Sequence, residues 1–158
     1  MPKNKTSFTL SEDALKLLKL IADKHGRSQA NMIETLIILW AGHYLADFPL
    51  QPAFVAEKKG LVFVESIGFH CLTAHAFIHG LVAGTIAYHL GMNGFLFGLV
   101  IGLTHWIIDF GKSSVLLDDR FPHTKGARKS IQKTGLYGIN IDQTLHFLVI
   151  LGTVLIFN

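Results

Sequence analysis

The amino-acid sequence predicts an all-α protein: a polytopic membrane bundle of about four helices, preceded by a short strand-helix-helix extension. Half of its 158 residues are hydrophobic, more than a water-soluble domain of this size needs. Apolar stretches that approach bilayer-spanning length recur from residue 33 onward, and the fifteen glycines suit close helix packing in lipid. We therefore expect two parts, a polar head over residues 1–31 and a membrane-embedded helical domain over residues 32–158.

The polar head begins with an alternating stretch and continues as two helices. Residues 5–10 alternate between polar and apolar side chains, which is the pattern of a β-strand. Ser11 is typical of a helix N-cap, and acidic residues follow in the first turn, where the helix dipole favours them. Ser28 is placed to cap a second helix over about residues 29–48. This second helix runs into the first apolar segment, so the two parts are expected to share it.

The order of strand, helix, turn and helix over about residues 5–38 resembles the ribbon-helix-helix DNA-binding family. In that family two chains pair their strands into a ribbon that enters the major groove. The resemblance implies base-facing side chains at Lys5, Ser7 and Thr9, a phosphate contact at Ser28, and a homodimer formed through the head. Basic residues exceed acidic ones by three in the head, which permits DNA binding without demanding it. A solvated hairpin used for dimerisation or partner contact is the alternative.

Four apolar segments follow the head, at residues 33–48, 61–90, 94–117 and 141–157. A helix needs about 20 apolar residues to cross a bilayer, so the second and third segments span it comfortably and the other two are short. Cys71 is the only cysteine, which excludes an internal disulfide and thiolate metal clusters. The loop at residues 118–140 is rich in Lys and Arg, which predicts that it faces the cytoplasm.

Each apolar segment carries one pair of ionisable residues at i,i+4 spacing, which puts both on one helix face. The pairs are His43 with Asp47, His75 with His79, His105 with Asp109, and Asp142 with His146. Random placement of the 13 His and Asp residues in this part of the chain gives about one such pair. Five are present, four of them inside the apolar segments. Because ionisable groups in lipid must face a partner or a cavity, the four faces are expected to form one polar centre.

Eight nitrogen and oxygen donors without sulfur suit a divalent metal such as Zn²⁺, Fe²⁺ or Mn²⁺. Lys112 falls on the face of His105, so five neutral histidines, three aspartates and this lysine sum to −2, which one divalent cation neutralises. A metal that activates water, with Asp47, Asp109 or Asp142 as base and Lys112 holding an anion, would make a hydrolase. Two alternatives stay open: histidines and aspartates that only hydrogen-bond across helices, and a proton path without metal.

Five blocks of sequence resemble one known family. They are HYLADFPLQ at 43–51, a lysine shortly after it (Lys58 or Lys59), HAFIH at 75–79, HWIIDFGK at 105–112 and DQTLH at 142–146. In this order they resemble the bacterial integral-membrane family called domain of unknown function 3307, over about residues 32–158. The resemblance implies a multi-pass protein of the bacterial inner membrane, in contact with lipid. It makes ten positions the defining ones: His43, Asp47, Gln51, His75, His105, Asp109, Lys112, Asp142, Gln143 and His146. Gln51 and Gln143 would then orient the metal ligands.

The function is not decided by these patterns. A looser likeness in intramembrane His and Asp content is to the membrane-bound metal-dependent hydrolases, which is an analogy only. The rival hypotheses are a membrane-tethered ribbon-helix-helix DNA-binding regulator and a structural membrane protein whose His/Asp pairs are not catalytic. If three segments cross before the basic loop, the head lies away from cellular DNA. Members of the family begin near the first helix, so a translation start at Met32 is a further hypothesis.

Overall fold

The computed structural model describes residues 11–63, 65–117 and 136–157, and the regular secondary structure within them is all helical. Its six α-helices and one 3-10 turn are α1 (Glu12–Lys24), α2 (Gln29–Asp47), α3 (Ala53–Lys58), the turn Lys59–Leu61, α4 (Ser66–His89), α5 (Gly94–Leu117) and α6 (Leu136–Phe157). The all-α class is therefore confirmed for this part of the chain. The strand predicted at residues 5–10 lies outside the described residues.

The two helices of the polar head begin where the sequence predicts. The Ser11 hydroxyl accepts a hydrogen bond from the Ala14 N–H at 3.3 Å, and the Ser28 hydroxyl accepts one from the Asn31 N–H at 3.1 Å. These caps satisfy amides that the first turn of a helix leaves unpaired. Gly26 connects the helices with φ 61°, a left-handed conformation that glycine adopts without strain. α2 then continues without a break through the predicted boundary between head and membrane domain.

The head lies against the rest of the chain. Leu18 and Ile21 of α1 pack on the apolar core. Arg27, in the turn after α1, donates to the Leu90 carbonyl oxygen at 3.2 Å and to the Thr35 hydroxyl at 3.4 Å. This guanidinium ties the turn to the C-terminal end of α4, 63 residues away in the chain.

α4 and α5 form a closely packed antiparallel hairpin. A Cβ atom added to Gly80 would lie 2.8 Å from the Gly98 carbonyl oxygen, and one added to Gly84 would lie 2.7 Å from the Gly94 carbonyl oxygen. Only glycine allows two helix backbones to approach so closely, which is how small residues at four-residue spacing join helices. Gly91, with φ 81°, helps to close the connection between the two helices.

α2 and α6 pack against this hairpin, and the interior divides into two layers. The apolar layer next to the head contains Met32, Leu39, Ala83, Ala87, Met92, Phe97, Ile101, Ile150 and Val154. The other layer contains the four His/Asp pairs. Each of the four helices contributes to both layers, because its pair is separated from its apolar residues by about one turn.

Two of the described helices are long and apolar enough to cross a membrane, Ser66–His89 and Gly94–Ser113. Asp142–Phe157 is apolar but shorter. Four membrane crossings are therefore not confirmed. Crossing by α2 and α6 stays a prediction, as does the inner membrane as the location.

Candidate metal centre

The four i,i+4 pairs predicted to converge do so in the polar layer. Helical geometry puts each pair on one face of its helix, and α2, α4, α5 and α6 turn these faces toward one another. Six members are buried: His43, His75, His79, His105, Asp109 and His146. The side chains of Asp47 and Asp142 are 12% and 11% exposed, so both carboxylates lie at the edge of the cluster. We call these eight residues the His/Asp cluster.

Asp47 is the carboxylate around which the first half of the cluster is arranged. Its Oδ1 lies 3.3 Å from His79 Nε2 and 3.4 Å from His75 Nε2, and its Oδ2 lies 3.2 Å from His43 Nε2. Gln143 reaches across from α6 and donates from Nε2 to Asp47 Oδ2 at 3.2 Å. Three histidines from two helices therefore direct the same ring nitrogen at one carboxylate, and an amide orients that carboxylate.

Asp109 is the central carboxylate of the second half of the cluster. Its Oδ2 lies 3.6 Å from His105 Nε2, and its Oδ1 lies 3.7 Å from His146 Nε2. His146 Nε2 is also 3.5 Å from Asp142 Oδ1. The other oxygen of Asp142 accepts a hydrogen bond from Lys112 Nζ at 2.8 Å. Lys112, predicted to hold an anion, thus contacts the outermost carboxylate of the cluster, and its side chain is 42% exposed.

The two halves meet where imidazoles pack against each other. His75 Nε2 and His105 Nε2 lie 2.9 Å apart, and the rings of His79 and His105 stack with centroids 3.6 Å apart. The rings of His105 and His146 stack at 4.1 Å. Two positively charged rings would repel one another at such distances. A neutral imidazole presents a lone pair, which is the form that binds a metal.

Lys59 also enters the centre, and sequence reasoning missed it. Its Nζ lies 2.7 Å from His75 Nε2 and 3.3 Å from Asp109 Oδ2, whereas Lys58 turns away to pair with Glu65 at 3.2 Å. The only indication in the sequence was the lysine that follows the first family-like block, and the sequence does not show whether this lysine is Lys58 or Lys59. With Lys59 included, three carboxylates and two ammonium groups give the centre a net charge of −1 instead of −2.

The Nε2-to-carboxylate distances inside the cluster are compatible with metal ligation. The Nε2-to-carboxylate distances run from 3.2 to 3.7 Å, longer than the about 2.7–2.9 Å of a charge-assisted hydrogen bond. A tetrahedral ion with ligand bonds of about 2.0–2.1 Å holds its ligand atoms about 3.3 Å apart. His43 Nε2 and His79 Nε2 are buried and make no hydrogen bond. The residues therefore fit a divalent cation.

Two groups of donors are compact enough to hold one ion each. In the first group, Asp47, His75, His79 and His105 each offer a ligand atom, and these atoms lie within 4.8 Å of one another. The second group, His105, Asp109 and His146, meets the same criterion. His105 belongs to both groups. Such donor sets suit Zn²⁺, Fe²⁺ or Mn²⁺, the metals predicted from the residue types.

Gln51 and three further polar residues do not belong to the His/Asp cluster. Gln51, predicted to orient ligands, has a buried Nε2 that makes no hydrogen bond. His70 and His89 are exposed and stand apart from the cluster. Glu65 forms an ion pair with Lys58.

Of the four residues predicted to bind DNA, the structure describes only Ser28. Lys5, Ser7 and Thr9 lie outside the described residues, and the Ser28 hydroxyl caps α2. A ribbon-helix-helix dimer would cover the apolar face of its second helix with the partner chain. Here Met32 and Leu39 on that face are 1% and 2% exposed because the chain's own helices cover them. The ribbon-helix-helix resemblance and the homodimer therefore stay predictions.

In the part of the chain that the structure describes, helices surround a buried His/Asp cluster, which defines the class of protein. The chain belongs to the family described as "Protein of unknown function (DUF3307)", whose model matches residues 35–157. This match covers every residue of the His/Asp cluster and confirms the family that the five sequence blocks indicate. No curated protein and no solved structure matches the chain.

Proposed function

We propose that this protein is a multi-pass membrane protein of the bacterial inner membrane that binds a divalent cation at the His/Asp cluster and uses it to hydrolyse an anionic substrate. The observation that carries the proposal is the arrangement of Nε2 atoms around Asp47 and Asp109 at 3.2–3.7 Å, with two of these nitrogens buried and without a hydrogen bond. Hydrogen-bonded pairing alone would leave those donors unsatisfied at a cost of about 1–3 kcal/mol each.

The distribution of apolar surface supports the membrane part of the proposal. In the two helices long enough to span a membrane, 44% and 28% of the most apolar stretch is buried inside the protein. A core helix of a water-soluble protein is mostly buried. Large apolar side chains point outward instead, among them Phe77, Leu81, Phe95, Leu103 and Ile107. Polar groups inside and apolar groups outside are what a bilayer favours, since lipid accepts apolar surface and excludes charge.

The chemistry proposed for the centre is hydrolysis. A bound divalent cation supplies Lewis acidity, which is its part in hydrolytic enzymes. Asp142 Oδ1 is buried without a hydrogen bond, while Lys112 holds the other oxygen. This carboxylate is the one best placed to take a proton from water. Lys112, which is more exposed than the cluster, is placed to hold the negative charge of a substrate such as a phosphate or carboxylate ester.

Metal analysis of the full chain, purified in detergent, tests cation binding. We expect the wild-type protein to carry Zn²⁺, Fe²⁺ or Mn²⁺ and the double variant Asp47→Ala, Asp109→Ala to lose it. The matched control is His70→Ala, His89→Ala, which removes two exposed histidines and should keep the metal. Equal metal in the wild-type protein and the aspartate variant would rule out this site.

The hydrolytic step has its own test. Purified metal-loaded protein is assayed with chromogenic phosphate and carboxylate esters. Asp142→Asn is expected to abolish kcat, whereas Lys112→Gln should mainly raise KM, because its amine holds the substrate and does not transfer a proton. Turnover that does not depend on the metal, or that Asp142→Asn leaves unchanged, would contradict a metal-dependent hydrolase with Asp142 as its base, while leaving cation binding intact.

A further inference from the structure

We propose that the His/Asp cluster holds two divalent cations side by side, bridged by Asp109; this inference rests on the proposed function, which requires only that the cluster binds a cation. The first position would be formed by Asp47, His75 and His79, and the second by His105, Asp109 and His146.

The shared residue of the two donor groups leads to this division. His105 belongs to both groups, yet a single Nε2 lone pair can bind only one ion. Its ring lies on α5 together with Asp109, so it completes the second group. The first group then keeps Asp47, His75 and His79, so each position has three donors of its own, and the bridging Asp109 adds a fourth to the first position. The second position keeps an open fourth place, which is the pattern of catalytic zinc sites.

Asp109 has the geometry of a bridge. Its Oδ2 lies 3.5 Å from His75 Nε2, a donor of the first position, and its Oδ1 lies 3.7 Å from His146 Nε2, a donor of the second. The same Oδ2 also lies 3.6 Å from His105 Nε2 of the second position, so this carboxylate lies between the two donor sets. His75 Nε2 and His105 Nε2, one from each position, are only 2.9 Å apart, so the positions adjoin. Two-metal hydrolytic sites hold their ions about 3.5–4 Å apart.

Lys59 lies at the junction of the two positions. Its Nζ contacts His75 of the first position and Asp109 of the second. The lone pair of His75 cannot accept from this ammonium and bind a metal at once, so the lysine must move when the first position fills. It therefore acts as an internal cation that neutralises the junction and gives way to a metal.

Charge then indicates the class of ligand that the two-cation form would take. With Lys59 displaced, three carboxylates and Lys112 give the centre a net charge of −2, so two divalent cations give +2. A net charge of +2 in an enclosed site requires an anion, and a phosphate group offers several oxygens to two adjacent cations. Among the anionic substrates of the proposed function, the two-cation form thus favours phosphate esters.

The experiment counts metals per chain. The full protein is loaded with Zn²⁺ in detergent, desalted and measured for metal and protein. We expect two equivalents in the wild-type protein and one in each of His79→Ala and His146→Ala, since each histidine serves one position. The control His89→Ala should keep two. Where an alanine variant does not fold, His79→Gln or His146→Gln replaces it.

A spectroscopic measurement on the unaltered protein gives an independent result. Loaded with Mn²⁺, two adjacent ions give a spin-coupled electron paramagnetic resonance spectrum, which isolated ions do not. One equivalent of metal in the wild-type protein, or an uncoupled six-line spectrum at full loading, would overturn the two-cation inference and leave the proposed function standing. No bound metal at all would refute both.

Discussion

Removing the amide of Gln143 should weaken metal binding without removing the site. Gln143 donates to Asp47 Oδ2 at 3.2 Å, and Asp47 is the carboxylate surrounded by His43, His75 and His79. A hydrogen bond to a charged group contributes about 1.5–3 kcal/mol, and about 1.4 kcal/mol corresponds to a factor of ten in affinity. Gln143→Leu is therefore expected to raise the metal Kd about 10- to 100-fold, as is typical for partners of metal ligands.

The assay is competition for Zn²⁺ between the detergent-purified protein and a chromophoric chelator. Gln29→Leu is the matched control, because it makes the same change at the start of α2, about 21 Å along the helix from His43. The number of metals bound should be the same in both variants and in the wild-type protein. An unchanged Kd in Gln143→Leu would mean that Asp47 is not a ligand, and complete loss of metal would mean that Gln143 has more than an orienting role.

Three further variants test other parts of the structure. Lys59→Met should bind metal about tenfold more tightly, since no ammonium then competes for the same donors; weaker binding, measured in the same chelator assay, would contradict this. Gly80→Ala should lower the stability by about 1–3 kcal/mol in detergent unfolding, because its methyl group meets a backbone oxygen of α5, whereas Gly152→Ala has open space and should not be destabilising. Arg27→Ala should cost about 1–3 kcal/mol by freeing α1 from α4, and a thermal midpoint equal to that of the exposed Lys24→Ala would refute that contact.

The local part of the centre could be predicted because helix geometry is local. Residues four apart share a face in any α-helix, so His105 and Asp109 had to lie together once α5 formed. The caps at Ser11 and Ser28 follow from the same reasoning, since a serine oxygen satisfies amides that the first turn leaves free. The expected cost of ionisable groups in lipid then predicted that the four faces would meet.

The contacts across helices could not be predicted in this way. The hydrogen bond from Gln143 to Asp47 joins residues 96 apart in the chain, and the order of residues carries no information about which carboxylate an amide will meet. Lys59 enters because a 3-10 turn after α3 points it inward while Lys58 pairs with Glu65. Neighbouring lysines in a short turn differ only in the direction of their side chains, and tertiary packing decides that direction.

By itself, the sequence determined the helical class of the described residues, the four faces that carry His and Asp, and the family to which the chain belongs. Only the tertiary structure decided that Asp109 directs its oxygens at two sets of histidines, and that Lys59 lies between them. The physical reason is that the close approach of α4 to α5 through glycine backbones and the packing of α2 and α6 on this hairpin control distances of a few ångströms between helices. Those distances, and not the spacing along any one helix, decide whether the four pairs form one shared cluster or remain isolated.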